Sequence, residues 1–194
     1  MPPLAIIFRV LLVPGTAVML ALGWGTGVAV AQDRSLEYAV KATYLYKFVP
    51  FVDWPNDMFA TPTAPFDICI VGDSSFADLV ANGIAGQRVE GGHALAVRRV
   101  TTIEQENGCQ VLFLDSEDGA VLDAALLAVR GKPVLTVTDA APPGEHGIVN
   151  FVLRGDRVRF EIDLGQAARN GIAISSKLLS LAVAVQPASG APPR

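Results

Sequence analysis

Gly147-Ile148-Val149-Asn150-Phe151-Val152-Leu153-Arg154-Gly155-Asp156-Arg157-Val158-Arg159-Phe160-Glu161-Ile162-Asp163-Leu164, followed by Ile174-Ser175-Ser176-Lys177-Leu178-Leu179, carries the strongest structural signal in the chain. Two β-branched and aromatic runs flank a Gly-containing connection at Arg154 to Asp156, which predicts a hairpin. Its second run alternates Val158, Phe160 and Ile162 with Arg157, Arg159, Glu161 and Asp163. One face is therefore apolar and the other charged, and the Ser-Ser-Lys-Leu-Leu run opens a helix behind it.

Upstream of the hairpin, strand and helix signals alternate. Strands are predicted at Phe66 to Val71, Ala94 to Arg98, Gln110 to Leu114 and Pro133 to Thr138. Helices are predicted near Phe76 to Ile84, near Ile103 and at Ala120 to Arg130. An opening helix precedes them: apolar or aromatic side chains recur at 36, 39, 40, 44, 48, 51 and 52, and Pro50 should kink or end it. Near-continuous Ile, Val, Leu and Cys strands separated by helices indicate a parallel sheet covered on both faces. The expected fold is a three-layer α/β/α sandwich with a mostly parallel sheet and a C-terminal antiparallel hairpin at one edge. Gly72-Asp73-Ser74-Ser75 and Asp115-Ser116 supply turns and N-cap oxygens after their strands, Asp139 closes the fourth strand, and Pro142-Pro143-Gly144 forces an irregular loop.

These segments, in this order, resemble the YfiR-like family of periplasmic proteins. The resemblance rests on Tyr38-Ala39-Val40-Lys41-Ala42-Thr43-Tyr44-Leu45-Tyr46-Lys47-Phe48 with the Trp54-Pro55 exit, on Phe66-Asp67-Ile68-Cys69-Ile70-Val71-Gly72-Asp73, and on Cys109-Gln110-Val111-Leu112-Phe113-Leu114. It continues through Gly131-Lys132-Pro133-Val134-Leu135-Thr136-Val137-Thr138-Asp139 and the C-terminal block, so it covers about Leu36 to Ala182. It implies a non-enzymatic regulator that represses an inner-membrane diguanylate cyclase by binding its periplasmic domain, lowering cyclic di-GMP and biofilm. It places the partner-contacting region around Glu161, Leu164 and Ala167, and it associates the family with redox-sensitive disulfides. Some members carry a further cysteine pair, which this chain lacks.

Residues 1 to 31 read as a signal peptide: Arg9, an apolar run from Val10 to Leu22, and Ala29-Val30-Ala31 before the expected cleavage. An uncleaved membrane anchor is the competing reading, against which stand the shortness of the apolar run and the small residues behind it. One domain is expected over 32–185 and a disordered tail over 186–194, where three prolines stand among small residues. The leader holds one of the 15 basic residues and none of the 19 acidic ones, so the mature charge is −5. Nucleic acid is an unsuitable partner for such a chain, because phosphate binding needs clustered Lys and Arg.

Cys69 and Cys109 fall on strands that neighbour one another in common doubly wound sheets, and an exported protein meets an oxidising compartment. A disulfide between them is the favoured pairing; two buried, reduced thiols are the alternative. His93 and His146 stand apart and no Cys-x-x-Cys exists, so no metal site is expected, and no cofactor motif is present. Gly72-Asp73-Ser74 invites an esterase reading, but no nearby acid and His pair is available to activate Ser74, and helix capping explains the motif. No catalytic residue is assigned. Seven of the twelve aromatics beyond residue 31 lie between Tyr38 and Phe59. Core packing accounts for most of them, while Tyr44, Phe51 and Trp54 are candidates for a small apolar pocket, the basis of an alternative reading as a periplasmic small-ligand-binding protein. A homodimer is left open.

Overall fold

The computed structural model describes residues 26–55, 58–59, 61–101, 108–116, 118–139, 141 and 145–188. Most of the expected leader, the helix near Ile103, the loop at 142–144 and the last residues of the tail lie outside these. The elements are α1 (Thr26–Phe48), a 3₁₀ turn (Val49–Phe51), β1 (Val52–Asp53), β2 (Phe66–Val71), α2 (Ser74–Ile84), β3 (Leu95–Arg99), β4 (Val111–Leu114) and α3 (Gly119–Ala128). They continue through β5 (Leu135–Asp139), β6 (Val149–Arg154), β7 (Arg157–Asp163), α4 (Leu164–Arg169), β8 (Ala173–Ile174), α5 (Ser176–Leu179) and β9 (Ala184–Gln186). The expected cleavage point after Ala31 falls within α1.

Seven strands form one sheet in the order β3-β2-β4-β5-β6-β7-β9. From β3 to β6 they run parallel, and β7 returns antiparallel to β6 as the predicted hairpin. Gly155 takes φ +64° in the connection, a conformation glycine adopts without a Cβ clash. The sequence reading missed β9, which adds a parallel strand beyond β7, and the small β1–β8 pair, which lies outside the main sheet.

Period-two alternation divides the core into two layers. Phe66, Ile68 and Ile70 of β2, Val111 and Phe113 of β4, and Val158, Phe160 and Ile162 of β7 share one apolar cluster with α1 and α2. Cys69, Val71, Leu112 and Leu114 face the other way, toward Leu122, Ala125 and Val129 of α3 and its exit. The three-layer α/β/α sandwich is thus the observed architecture. Cys69 and Cys109 are joined by a disulfide in the α3-side layer, with Cα atoms 5.7 Å apart.

Helix α1 lies on the sheet in a different rotation from the one its hydropathy predicts. Tyr38, Lys41, Ala42, Leu45 and Phe48 are buried, whereas Leu36 is 67% exposed. The reason is electrostatic. Lys41 Nζ lies 2.6 Å from both Oδ1 and Oδ2 of Asp139, at the end of β5, and also bonds Glu37 one turn back. Tyr38 donates its hydroxyl to Asp115 Oδ2 at 2.9 Å, just beyond β4. Asp115, expected to supply a cap, and Asp139, expected to close the fourth strand, therefore hold α1. Asp73 caps α2 as expected, accepting from Ser75 N at 2.6 Å, whereas the cap of α3 passes from Asp115 to Asp118, which accepts from Ala120 N at 2.9 Å. Burial pulls the Lys41 ammonium down, and the bonds to Asp139 and Glu37 more than reverse this, so it titrates above its ordinary 10.5. Burial pushes the Asp139 carboxyl up, against the pull of Lys41.

Two outcomes are expected. The disulfide closes a sequence separation of 40 residues, so Cys69→Ala with Cys109→Ala lowers unfolding free energy by about 4 kcal/mol in denaturant titrations. Thiol counting on the denatured, unreduced protein should find no free thiol; two free thiols would contradict the bond. Lys41→Met strands two carboxylates and lowers stability at neutral pH by about 3–5 kcal/mol, part of which Asp139→Leu restores. Since Lys41 holds its proton more tightly when folded, its contribution is complete below 10.5 and declines as pH rises through the folded value. Alkaline thermal melts should therefore show a steeper fall for the wild type than for Lys41→Met.

Candidate functional site

Open parallel sheets usually bind ligands at the crevice where strand order reverses, beyond the C-terminal strand ends. Here that crevice lies between β2 and β4, and it is closed. A Cβ at Gly72, just past β2, would stand 2.8 Å from Asp115 Cβ, so the two strand exits touch. Tyr38 and Lys41 of α1 fill the space above Asp115 and Asp139. Ser74 is exposed at the start of α2. Among the described residues, His93 bonds Ala64 O, and His146 contacts Gly147, Gln166 and Gln186, so neither histidine serves Ser74. No group of three or more potential metal ligands occurs among the described residues.

Three other regions remain. The first is a cavity of about 660 Å³ at the exit of α1, bounded by Tyr46, Trp54, Phe59, Phe66 and His93, with Lys47 and Arg88 among its lining. Trp54 meets the edge of Phe66 at a centroid distance of 5.2 Å, and Phe59 stacks on His93 at 3.6 Å. Of the three aromatic candidates named from sequence, only Trp54 borders this cavity. Tyr44 instead packs on Phe48 and Phe160 over the sheet, and Phe51 lies half-buried where its carbonyl accepts Ser175 N at 2.9 Å. Phe59 and His93 were missed because 34 positions separate them, and only folding stacks them.

The second region is the charged face of β7 and its passage into α4. Asp163 caps α4 through Gln166 N at 2.9 Å, which places Leu164 directly after Glu161-Ile162-Asp163 at the sheet end. Glu161 pairs with Arg154 across the hairpin at 2.8 Å, its side chain one-quarter exposed. Leu164 is half-buried against the core. Ala167 corrects the sequence reading: at 2% exposure it packs inside the core beside Ile172 and Leu178 and offers no surface to a partner. Beside Glu161 runs β9, paired Glu161 to Ala184; Val185 within it, and Leu181 and Val183 in the segment leading to it, are exposed. The third region is a smaller polar cavity between α3 and α4, lined in part by Arg130 and Arg169.

No helix among the described residues is long and apolar enough to cross a membrane. The model of the YfiR/HmsC-like family matches residues 38–183, which takes in α1 from Tyr38, every strand from β1 to β8 and the whole β7–α4 passage. With three-quarters of its length matched, this chain belongs to the YfiR/HmsC-like family.

Proposed function

We propose that this protein is an exported, non-catalytic regulator that binds the periplasmic domain of an inner-membrane diguanylate cyclase and holds its output low. The family match over residues 38–183 carries this reading, because the family is associated with control of diguanylate cyclases from the periplasm. A protein that never meets the cytoplasmic cyclase domain can restrain it only by binding the inactive conformation of the membrane protein more tightly than the active one. Such restraint needs a rigid surface with oriented charge.

The β7–α4 passage offers that surface. Glu161 is fixed by Arg154, and Leu164 is held at the first turn of α4 by the Asp163 cap. Ala184 of the neighbouring strand shares the face of Glu161, while Val185 of that strand and Val183 just before it are exposed at the same sheet edge on the face of Phe160 and Ile162. A fixed carboxylate sets register, and the exposed aliphatic groups contribute contact area. The aromatic cavity at Trp54 supports a second reading as a ligand-binding protein, since its volume falls within the range of small-molecule sites.

Deletion of the gene should raise intracellular cyclic di-GMP and biofilm, and complementation should reverse both. Glu161→Lys reverses the oriented charge and should weaken partner binding by about tenfold or more. Leu164→Asp places a carboxylate in an apolar contact and should mimic the deletion, with a thermal melt to confirm folding. Unchanged cyclic di-GMP in the deletion strain rejects the regulator. Full repression by both folded variants rejects this surface alone.

A further inference from the structure

The sheet face beneath α3 changes character from strand to strand. β2 and β4 present Cys69, Val71, Leu112 and Leu114 there, but β5 and β6 present Thr136, Thr138 and Asn150. These polar groups are satisfied internally: Thr138 donates to Asn150 Oδ1 at 2.9 Å, and Thr136 Oγ1 accepts Ile148 N at 2.9 Å. Next to them, between the end of α3 and α4, lies a cavity of about 110 Å³ whose wall is mainly polar.

Asn170 builds this cavity. Its Nδ2 donates to Val134 O at 2.9 Å and its Oδ1 accepts Gly131 N at 3.2 Å, which ties the exit of α3 to the exit of α4. Arg130 precedes one end of that tie and Arg169 precedes the other, and the exposed side chains of both line one space, Arg169 Nη1 lying back along α4 beside Gly165. Neither forms an ion pair among the described residues. Asp123 is the one carboxylate among the described residues of the cavity wall, which leaves a formal excess of positive charge there on a chain whose net charge is −4. Gln166, with its amide held on His146 O at 2.6 Å, completes the polar rim.

Two like charges held at one cavity repel until an anion lies between them, and the planar guanidinium fork matches the oxygens of a phosphate. At about 110 Å³ the cavity exceeds a single water but falls well short of a site for a whole nucleotide. We propose that it binds one phosphate-type oxyanion, clamped between Arg130 and Arg169, either as free inorganic phosphate or as the phosphoryl end of a phosphomonoester. Arg169 is the last residue of the helix that Leu164 begins, so a bound anion braces the proposed docking surface from behind. That consequence rests on the regulator reading; anion binding does not.

Calorimetric titration of the purified protein tests it, with inorganic phosphate and glycerol phosphate as ligands and chloride at matched ionic strength as control. One phosphate should bind per chain and raise the thermal midpoint, while chloride does neither. Arg130→Gln and Arg169→Gln should each weaken phosphate by about tenfold or more, Arg169→Lys should fall between them and the wild type, and Asp123→Asn should bind more tightly. Tighter binding of glycerol phosphate identifies a phosphomonoester as the ligand class, and tighter binding of inorganic phosphate identifies the free ion. Wild-type heats no larger than those of chloride overturn the proposal, as does unaltered phosphate binding by both glutamine variants with native melting curves. Either failure leaves the cyclic di-GMP phenotype of the deletion unaffected, which separates this site from the regulator reading.

Discussion

Burial of Lys41 between Asp139 and Glu37 is the constraint around which the molecule is arranged. An ammonium with only 4% of its side chain exposed is tolerated because two carboxylates meet it, one of them through both oxygens. The bond reaches from the first helix to the end of β5, across 98 residues of sequence. It fixes the rotation of α1, and with the rotation it fixes which aromatic rings enter the sheet-side core. Phe48 then meets Phe151 and Phe160, and Tyr38 meets the edge of Phe76. An apolar helix without this pair could slide or turn on a flat hydrophobic sheet at little energetic penalty, whereas a buried charge has one place to go.

The same constraint moves function away from the place where the topology would put it. A doubly wound sheet offers a crevice between β2 and β4, and the side chains of α1 occupy it. Asp115 and Asp139, which in an open crevice could face a ligand, are spent on the protein's own tyrosine and lysine. The remaining chemistry lies at the periphery, in the aromatic cavity at the exit of α1, along the β7–α4 passage, and between the arginines at the ends of α3 and α4. This distribution suits a protein whose activity is recognition.

Two of those peripheral regions are mechanically joined. β1 leaves the 3₁₀ turn beside Trp54 and pairs with β8, and Ser175 donates to Phe51 O at 2.9 Å next to that pair. The chain exit of α1 is thereby clipped to the segment that follows α4. The cap at Asp163 and the Asn170 tie hold α4 at its two ends.

Local pattern determined a good deal on its own. The alternation of Val158, Phe160 and Ile162 with charged residues gave the hairpin and its inner face, because a strand's side chains have a strict period of two. The apolar runs at 66–71 and 110–114 gave neighbouring parallel strands, and with them the cysteine pair that the structure joins. Tertiary structure alone decided the rest. Hydropathy placed Leu36 inward, but Lys41 and Tyr38 took that face, since their partners stand 98 and 77 residues away. Ala167 read as a surface contact and is core, because the rotation of α4 that its docking sets turns Ala167 inward and leaves Ala168 exposed. β9 was invisible, for three exposed residues carry no periodicity until β7 supplies hydrogen-bond partners. The stacking of Phe59 on His93, and the lining of one cavity by both Arg130 and Arg169, likewise depend on where distant backbone segments are tied, a distance that spacing along the chain does not encode.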